Sequence, residues 1–233
     1  FAPGRPLEKA LFQLNTYFTA LGSKEKLALS FLPQHPTERK IRVVPPLLRK
    51  EVKFLNISHK DFFLAYMVNP GYASEIIGFA KKYPHITIKA YWDKKDAAGI
   101  EQPLPNLSFH RVNDQTFLQD MAACKGLSCT AGFESVCEAM YLGKPVLMIP
   151  VAGQYEQACN ALDAQASGAG MASDDFDFAK LENLEKKDSE ASLVYQVWVD
   201  SWPNIFRKLM YLAELRQKKN QPKSGINPSP ALT

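Results

Sequence analysis

The segment Gly132-x-x-Ser135-x-x-Glu138 combines residue types that suit a phosphate and a sugar. Gly132 permits close approach to the backbone, and free N–H groups at a following helix start attract anions. Ser135 adds a hydroxyl donor, and Glu138 lies one turn deeper on the same face. One turn is about 5.4 Å, close to the step from a phosphate to a ribose diol. We therefore predict a nucleotide site, lined also by Thr130, Ala131, Phe133 and Glu134.

A second group of polar residues follows the next predicted strand. Glu156, Gln157 and Asn160 share one face of the predicted helix, while apolar residues take the opposite face. A carboxylate beside two amides can accept and donate hydrogen bonds in a fixed geometry, as a hexose with several hydroxyls requires. The residue types therefore predict a sugar site beside the phosphate site.

The elements that must position these residues alternate regularly from Phe62 onward. Short apolar runs and segments of helical period follow each other, which is typical of βαβ units. We therefore predict an α/β fold with a Rossmann-like parallel sheet flanked by helices, which binds ligands at the carboxyl ends of its strands. The predicted strands lie at 62–68, 85–90, 106–111, 126–130, 146–149 and near 170, and the predicted helices at 72–82, 115–124, 134–142 and 155–167.

Composition and periodicity divide the chain into four parts. Residues 1–45, with a predicted helix and strand, are interpreted as the end of another unit and a linker, which the following prolines stiffen. Residues 46–185 form the domain with the parallel sheet. Residues 186–219 hold a long amphipathic helix, in which Pro203 predicts a kink or restart. Residues 220–233 are expected to be a flexible tail.

The spacing of these motifs resembles the donor-binding signature of GT-B glycosyltransferases. The matching pattern is Gly132-x-x-Ser135-x-x-Glu138, then Gly143-x-Pro145, then Glu156-Gln157-x-x-Asn160. It is similar to that of plant-type UDP-glycosyltransferases and of the bacterial transferase that adds N-acetylglucosamine to lipid I. The likeness implies the C-terminal half of a GT-B fold, with a remnant of the N-terminal domain and a long C-terminal helix.

The resemblance also implies a role for each residue of the donor site. The ligand would be a nucleoside diphosphate sugar, most simply a UDP-sugar. The implied contacts are Gly132 and Ser135 for the diphosphate, Glu138 for the ribose, Glu156, Gln157 and Asn160 for the sugar, Asn69, Gly71 and Tyr72 for the phosphate-side loop, and Phe109, His110 and Val112 in the base-clasping segment 109–113. The sequence departs from the plant-type signature at two positions: Thr130 stands in place of a histidine, and Glu134 stands in place of an asparagine.

The reaction implied is metal-independent transfer of a hexose from the nucleotide sugar to a hydroxyl acceptor, which could be lipid-linked. The helix start would stabilise charge on the leaving diphosphate, and no cofactor or metal site is expected. The general base is expected from the N-terminal GT-B domain. Two alternatives stay open: an enzyme resembling UDP-N-acetylglucosamine 2-epimerase, and a non-catalytic nucleotide-sugar-binding module. A nicotinamide dehydrogenase is disfavoured, since no GxGxxG follows the first strand.

Composition indicates an ordinary globular chain. Of the 233 residues, 46% are hydrophobic and 22% charged, and the net charge is +4. No signal pattern or long apolar run is present, so a cytoplasmic location is expected, with peripheral membrane contact as an option for the basic tail and the aromatic C-terminal helix. Nucleic acid is not expected as a partner. The cysteines lack metal-binding spacing and are predicted to be reduced, buried thiols.

Overall fold

A computed structural model of the chain describes residues 1–23, 25–34, 41–67, 69–94, 99–184 and 189–220. Two strands, β1 (Lys26–Leu29) and β2 (Ile41–Val44), form a small parallel sheet. The main sheet has seven strands: β3 (Phe63–Met67), β4 (Ile88–Trp92), β5 (Ile100–Leu104), β6 (Leu107–Arg111), β7 (Leu127–Thr130), β8 (Val146–Ile149) and β9 (Gly170–Ala172). Their order is β5-β6-β4-β3-β7-β8-β9, and only the β5–β6 pair among them is antiparallel.

Helices cover both faces of the main sheet. The described helices are α1 (Pro6–Thr19), α2 (Ala73–Lys82), α3 (Asp114–Ala123), α4 (Phe133–Tyr141), α5 (Tyr155–Ala166), α6 (Phe178–Glu182), α7 (Ser189–Asp200) and α8 (Trp202–Asn220). Apolar residues of α3, α4, α5 and α7 pack in one core layer, and those of α2 and α6 pack in the layer on the opposite face. The predicted α/β fold with a parallel sheet is confirmed.

The central strands β7 and β8 place the two predicted ligand loops. Every residue of both strands is buried, as expected for parallel strands that are covered by helices on both faces. The strands pair in register from Leu127 opposite Val146 to Thr130 opposite Ile149. Because they are parallel and end together, the loops that lead into α4 and α5 leave the sheet side by side.

The Gly143-x-Pro145 motif ends α4 and anchors it to the rest of the domain. Gly143 has φ +67°, a left-handed conformation that favours glycine after a helix. The following Lys144 is fully buried, and its ammonium donates to the carbonyls of Ser58 at 2.5 Å and Cys124 at 2.8 Å. Burial lowers the pKa of Lys144. This motif is therefore structural, and it fixes the helix that carries Glu138.

The N-terminal residues, 1–44, form a small layer that packs on the main domain, which we call the N-terminal layer. Helix α1 has no buried residue, although it carries a row of leucine and aromatic side chains. Strands β1 and β2 lie beside α8, and an apolar groove of about 690 Å³ runs between Leu27 of β1, Leu47 of the linker and Phe206 of α8. The indole N–H of Trp202 donates to the carbonyl of Pro46 at 3.2 Å, which ties α8 to the linker.

The structure differs from the sequence predictions at several elements. Strands β2 and β5 and helix α6 were not predicted, and β4 begins three residues later than the predicted strand at 85–90. The long C-terminal helix is two helices, since α7 ends at Asp200 and α8 restarts with Pro203 in its first turn, as the proline predicted. Val68, at the predicted end of β3, and most of the predicted flexible tail, 221–233, lie outside the described residues.

Candidate functional site

The turn between β7 and α4 has the geometry of an anion site. Thr130 and Ala131 are buried, and the N–H of Gly132 donates to the carbonyl of Thr130 at 2.6 Å, which makes the turn tight. Gly132 precedes the first helical residue, and no side chain in the described part of the chain caps this helix start. The N–H groups of the first turn therefore point to the edge of the sheet with the half-buried Ser135 beside them.

Gly132 is not required by the fold. Its φ is −70° and its ψ 134°, values that any residue adopts, and a Cβ atom placed on it would meet only the carbonyl oxygen of Thr130 at 3.8 Å. Gly170 is the opposite case, because a Cβ there would overlap the carbonyl of Val146 in β8. The space in front of Gly132 is thus left open by the protein.

Two neighbouring predicted residues differ in their exposure. The ring of Phe133 packs on Phe31 of the N-terminal layer, with centroids 4.6 Å apart. The side chain of Phe133 therefore contributes to packing within the protein. Glu134 is exposed in the first turn of α4. A carboxylate at this position satisfies the positive end of the helix, but it also opposes a second anion there.

Glu138 does not face open space. It is 2% exposed, and both of its oxygens accept from Arg49, Oε1 from Nε at 2.7 Å and Oε2 from Nη2 at 2.6 Å. Arg49 also donates through Nη1 to Asp114 at 3.1 Å. The hydrogen bond and charge of Glu138 raise the pKa of Arg49. The structure thus places Glu138 in a buried ion pair, and its predicted contact with a ribose stays a prediction.

The predicted sugar residues on α5 are divided between solvent and the backbone. Glu156 is exposed. Gln157 accepts from the N–H of Val151 at 2.9 Å, which holds the loop after β8. Asn160 donates to the carbonyl of Ala131 at 3.3 Å, which holds the turn after β7. The two amides therefore brace the loops on which the predicted site depends.

The N-terminal layer covers the start of α5. The hydroxyl of Tyr155 donates to the carbonyl of Ala2 at 3.3 Å, and the backbone N–H of Ala2 lies 3.3 Å from the sulfur of Cys159. The ring of Phe12 from α1 packs on Tyr155 with centroids 5.9 Å apart. This side of α5 is consequently closed by the chain itself, whereas the side of Glu156 is open.

The loop after β3 is held in shape by the side chain of one of its residues, Asn69. Asn69 accepts from the N–H of Gly71 at 2.8 Å, which closes a short 3-10 turn, Pro70–Tyr72, before α2. Tyr72 is half-buried, and its ring packs on Phe176 with centroids 5.3 Å apart. Asn69 and Gly71 are exposed at the same edge of the sheet as the β7–α4 turn.

A polar groove of about 760 Å³ lies beside the predicted base segment. Phe109 does not line it, because its ring is buried against Trp92 with centroids 4.3 Å apart. His110 and Val112 do line it. The His110 ring stacks on the ring of Tyr91 with centroids 5.1 Å apart, and the Nε2 atom of His110 lies 2.8 Å from the hydroxyl of Ser108. Burial lowers the pKa of His110.

The floor of this groove holds a charged pair that the sequence predictions missed. The Lys89 ammonium donates to Asp120 at 2.8 Å, and the Tyr91 hydroxyl donates to the other oxygen of Asp120 at 2.9 Å. Lys89 and the buried Tyr91 lie on one face of β4, and Ile88, Ala90 and Trp92 pack in the core on the other face. Side chains two positions apart share a face of a strand, so the sequence could have indicated this pair. Arg49 and Asp114 were missed as well, since only the folded chain brings them to Glu138.

The described residues hold neither a cluster of metal-ligating side chains nor a helix that could cross a membrane. Within them, no three His, Cys, Asp or Glu side chains are grouped closely enough to hold a metal ion. Cys124, Cys129 and Cys137 are free, buried thiols, as predicted, whereas Cys159 is free but only half-buried, so the prediction of burial is wrong for Cys159. Burial raises the pKa of Cys124 and of Cys129 to about 12. Among the described helices, none has both the length and the hydropathy that a bilayer crossing demands.

Several solved structures share this fold. The chain is similar to CalG4, the calicheamicin glycosyltransferase, at 16% identity and a TM-score of 0.58, over 92% of this chain and 59% of that one. It is similar to the glycotransferase of kitacinnamycin at 14% identity and a TM-score of 0.53, over 76% of this chain and 50% of that one. It is similar to the spinosyn forosaminyltransferase SpnP at 13% identity and a TM-score of 0.52, over 88% of this chain and 62% of that one. The chain thus spans between half and about three fifths of the length of these structures.

Sequence comparison identifies the family. No curated protein matches the chain significantly. A family model for glycosyl transferase family 1 matches residues 20–187, which include the whole main sheet and both predicted ligand loops. The sheet and its flanking helices have the architecture of GT-B glycosyltransferases, of which the described residues form a part. The chain belongs to glycosyl transferase family 1.

Proposed function

We propose that this chain supplies the donor site of a glycosyltransferase that moves a sugar from a nucleoside diphosphate sugar, a UDP-sugar, to a hydroxyl acceptor. The observation that carries this proposal is the β7–α4 turn. Its helix start has no side-chain cap among the described residues, and it follows a glycine for which the fold has no need. A ligand that approaches the backbone closely is a reason for a glycine at this position.

The diphosphate lies at the start of α4, where the first-turn N–H groups and Ser135 donate to it. Charge that develops on the leaving diphosphate during transfer is stabilised by these fixed donors and the helix dipole, which need no reorganisation. The base lies along segment 109–113, beside the groove that His110 and Val112 line. Both places are at the carboxyl ends of parallel strands, where ligands of such sheets bind.

The sugar lies towards α5, where Glu156 is exposed to accept from its hydroxyls. Gln157 and Asn160 act mainly by holding the two loops through Val151 and Ala131. The acceptor is a hydroxyl compound, and lipid-linked alcohols are among the options. The acceptor site and the general base belong to the other domain of a two-domain GT-B enzyme. Transfer by the whole protein requires that second domain.

Titration calorimetry of the chain with UDP tests the proposal. The chain binds UDP, and Gly132→Ala weakens binding about tenfold, since one misplaced methyl group at the diphosphate costs roughly 1.4 kcal/mol. Gly78→Ala is the matched control: it adds the same methyl group on the exposed side of α2, where a Cβ has no neighbour within 4 Å. Equal UDP affinity of the wild-type and Gly132→Ala chains would exclude the donor site at this turn.

A further inference from the structure

The helix whose start is proposed to hold the diphosphate carries a buried carboxylate of its own. Glu138 is 2% exposed, and it lies three residues after Ser135 on the same face of α4, about 4.5 Å further along the helix axis. Water and salt screen a buried charge only weakly, so this carboxylate would repel a diphosphate unless a cation neutralises it. The exposed Glu134 is screened by solvent and repels an anion less.

The neutralising cation is Arg49, which comes from the linker that precedes the main sheet. Its Nε and Nη2 donate to the two oxygens of Glu138 at 2.7 and 2.6 Å. A guanidinium fork holds a carboxylate in one planar geometry, as an ammonium group cannot. Without Arg49, α4 would keep a buried, unpaired carboxylate within two helical turns of the proposed anion site.

The linker is held on both sides of Arg49. Three residues before it, the carbonyl of the buried Pro46 accepts from the indole N–H of Trp202 at 3.2 Å. Four residues after it, the ammonium of Lys53 pairs with Asp200 at 2.5 Å. Trp202 begins α8 and Asp200 ends α7. The C-terminal helices therefore fix the linker at the point where Arg49 reaches α4.

We propose that Arg49 is a positioning residue of the donor site: by neutralising Glu138 from the linker, it keeps the start of α4 attractive to a diphosphate. The proposal rests on the proposed donor site. Arg49 acts without touching the nucleotide, because its effect passes through Glu138 to the electrostatic potential at the helix start. An unpaired charge at Glu138, roughly 8 Å along the axis from the first helical residue, lowers the affinity for the diphosphate about tenfold.

Titrations with UDP and with uridine, followed in the NMR spectrum of the ligand, test this assignment. The ratio of the two affinities isolates the diphosphate and cancels contacts with the base and the ribose. Measurement at pH 8 keeps Glu138 ionised in the variants. Arg49→Gln lowers the ratio about tenfold, whereas Arg49→Lys, which keeps the charge without the fork, retains most of it. Glu138→Gln leaves the Arg49 cation without its buried partner and raises the ratio severalfold.

A double variant separates charge from shape. Arg49→Gln combined with Glu138→Gln removes both charges at nearly constant volume, and the ratio returns to the wild-type value. Arg42→Gln is the matched control, because it removes a cation from an ion pair with Glu25 on β2, beside α8. It changes the net charge of the chain as Arg49→Gln does and leaves the ratio unchanged. Thermal unfolding checks that each variant is folded.

The possible failures are distinguishable. If the wild-type chain binds neither UDP nor uridine, the proposed donor site itself is wrong. If the wild-type chain binds UDP and the ratio is unchanged in Glu138→Gln and in any folded Arg49→Gln, Arg49 has no part in the donor site, and the site stands. A ratio lowered equally in Arg49→Lys and in the double variant would show that Arg49 only holds the shape of α4, which overturns the electrostatic role.

Discussion

The β7–α4 and β8–α5 turns are built alike, but they use their polar groups differently. Both follow fully buried strands of the same sheet, and both lead into helices whose starts have no side-chain cap among the described residues. At β7–α4 the donors of the helix start are left open. At β8–α5 the amide of Gln157 returns to the N–H of Val151, and Tyr155 is covered by the N-terminal layer.

One topology can therefore produce an open helix start and a braced loop next to each other. The side chains of the first helical turns decide between them, since a long amide can reach back to its own loop and a serine cannot. The braced turn also supports the open one, because Asn160 of α5 donates to Ala131 in the β7–α4 turn at 3.3 Å. Rigid support of this kind keeps donor groups fixed for a ligand.

The largest difference is expected between two glycine substitutions. Gly170→Ala, in the strand that follows α5, places a methyl group on the carbonyl of Val146 and disrupts the β8–β9 pairing. We expect a loss of about 4 kcal/mol or more in the free energy of unfolding. Gly132→Ala is expected to gain about 0.4–1 kcal/mol, because it restricts only the unfolded chain. Urea unfolding of both variants measures this.

A loss of stability in Gly132→Ala as large as that in Gly170→Ala would contradict this expectation. That result would mean that the β7–α4 turn needs its glycine for folding, and the open space in front of it would no longer indicate a ligand. Stability gained together with UDP affinity lost is the expected signature of a glycine kept for function.

A smaller difference is expected between neighbouring residues of α5. Gln157→Leu leaves the N–H of Val151 without its partner, and we expect a loss of about 1–3 kcal/mol in the free energy of unfolding. Glu156→Gln changes an exposed side chain and should stay within about 0.5 kcal/mol of the wild type. Urea unfolding of the two variants shows whether Gln157 stabilises the loop after β8 while Glu156 only faces solvent. Equal stabilities would show that Gln157 does not brace its loop.

The sequence predicted the parts of the fold and site that depend on local spacing. The turn before α4 and the helical face of Glu138 follow from residues within two turns of each other, and the structure has both elements. The pairing of Glu138 with Arg49, 89 positions away, depends on how the linker packs against α4. No spacing within either segment indicates it, so the burial of Glu138 was not predicted.

The missed strand β5 has a similar explanation. Its sequence, Ile-Glu-Gln-Pro-Leu, contains a proline and little apolar character, because it is an antiparallel edge strand with an irregular register. Its partner β6 supplies the buried side chains, and pairing with β6 makes the segment a strand. Tertiary pairing, and not β-propensity, defines this edge of the groove.

The smallest effect is expected at His110, which lines the groove beside segment 109–113 and not the β7–α4 turn. Burial lowers the pKa of His110 below the ordinary 6.5, and this outweighs the opposing charge of Asp120. The unfolded chain therefore binds more protons than the folded chain once the pH falls below about 6.5. The free energy of unfolding contributed by His110 is complete above that pH and decreases as the pH falls towards the folded pKa.

Urea unfolding between pH 7.5 and pH 5.5 measures this decrease in the wild-type chain and in His110→Gln. The difference between the two chains cancels the titration of groups common to both, including Asp120 and Lys89 across the groove. We expect the wild-type chain to lose more stability on acidification than the variant. Parallel pH profiles would show that folding does not remove the His110 ring from water, and the groove would then be an open surface there.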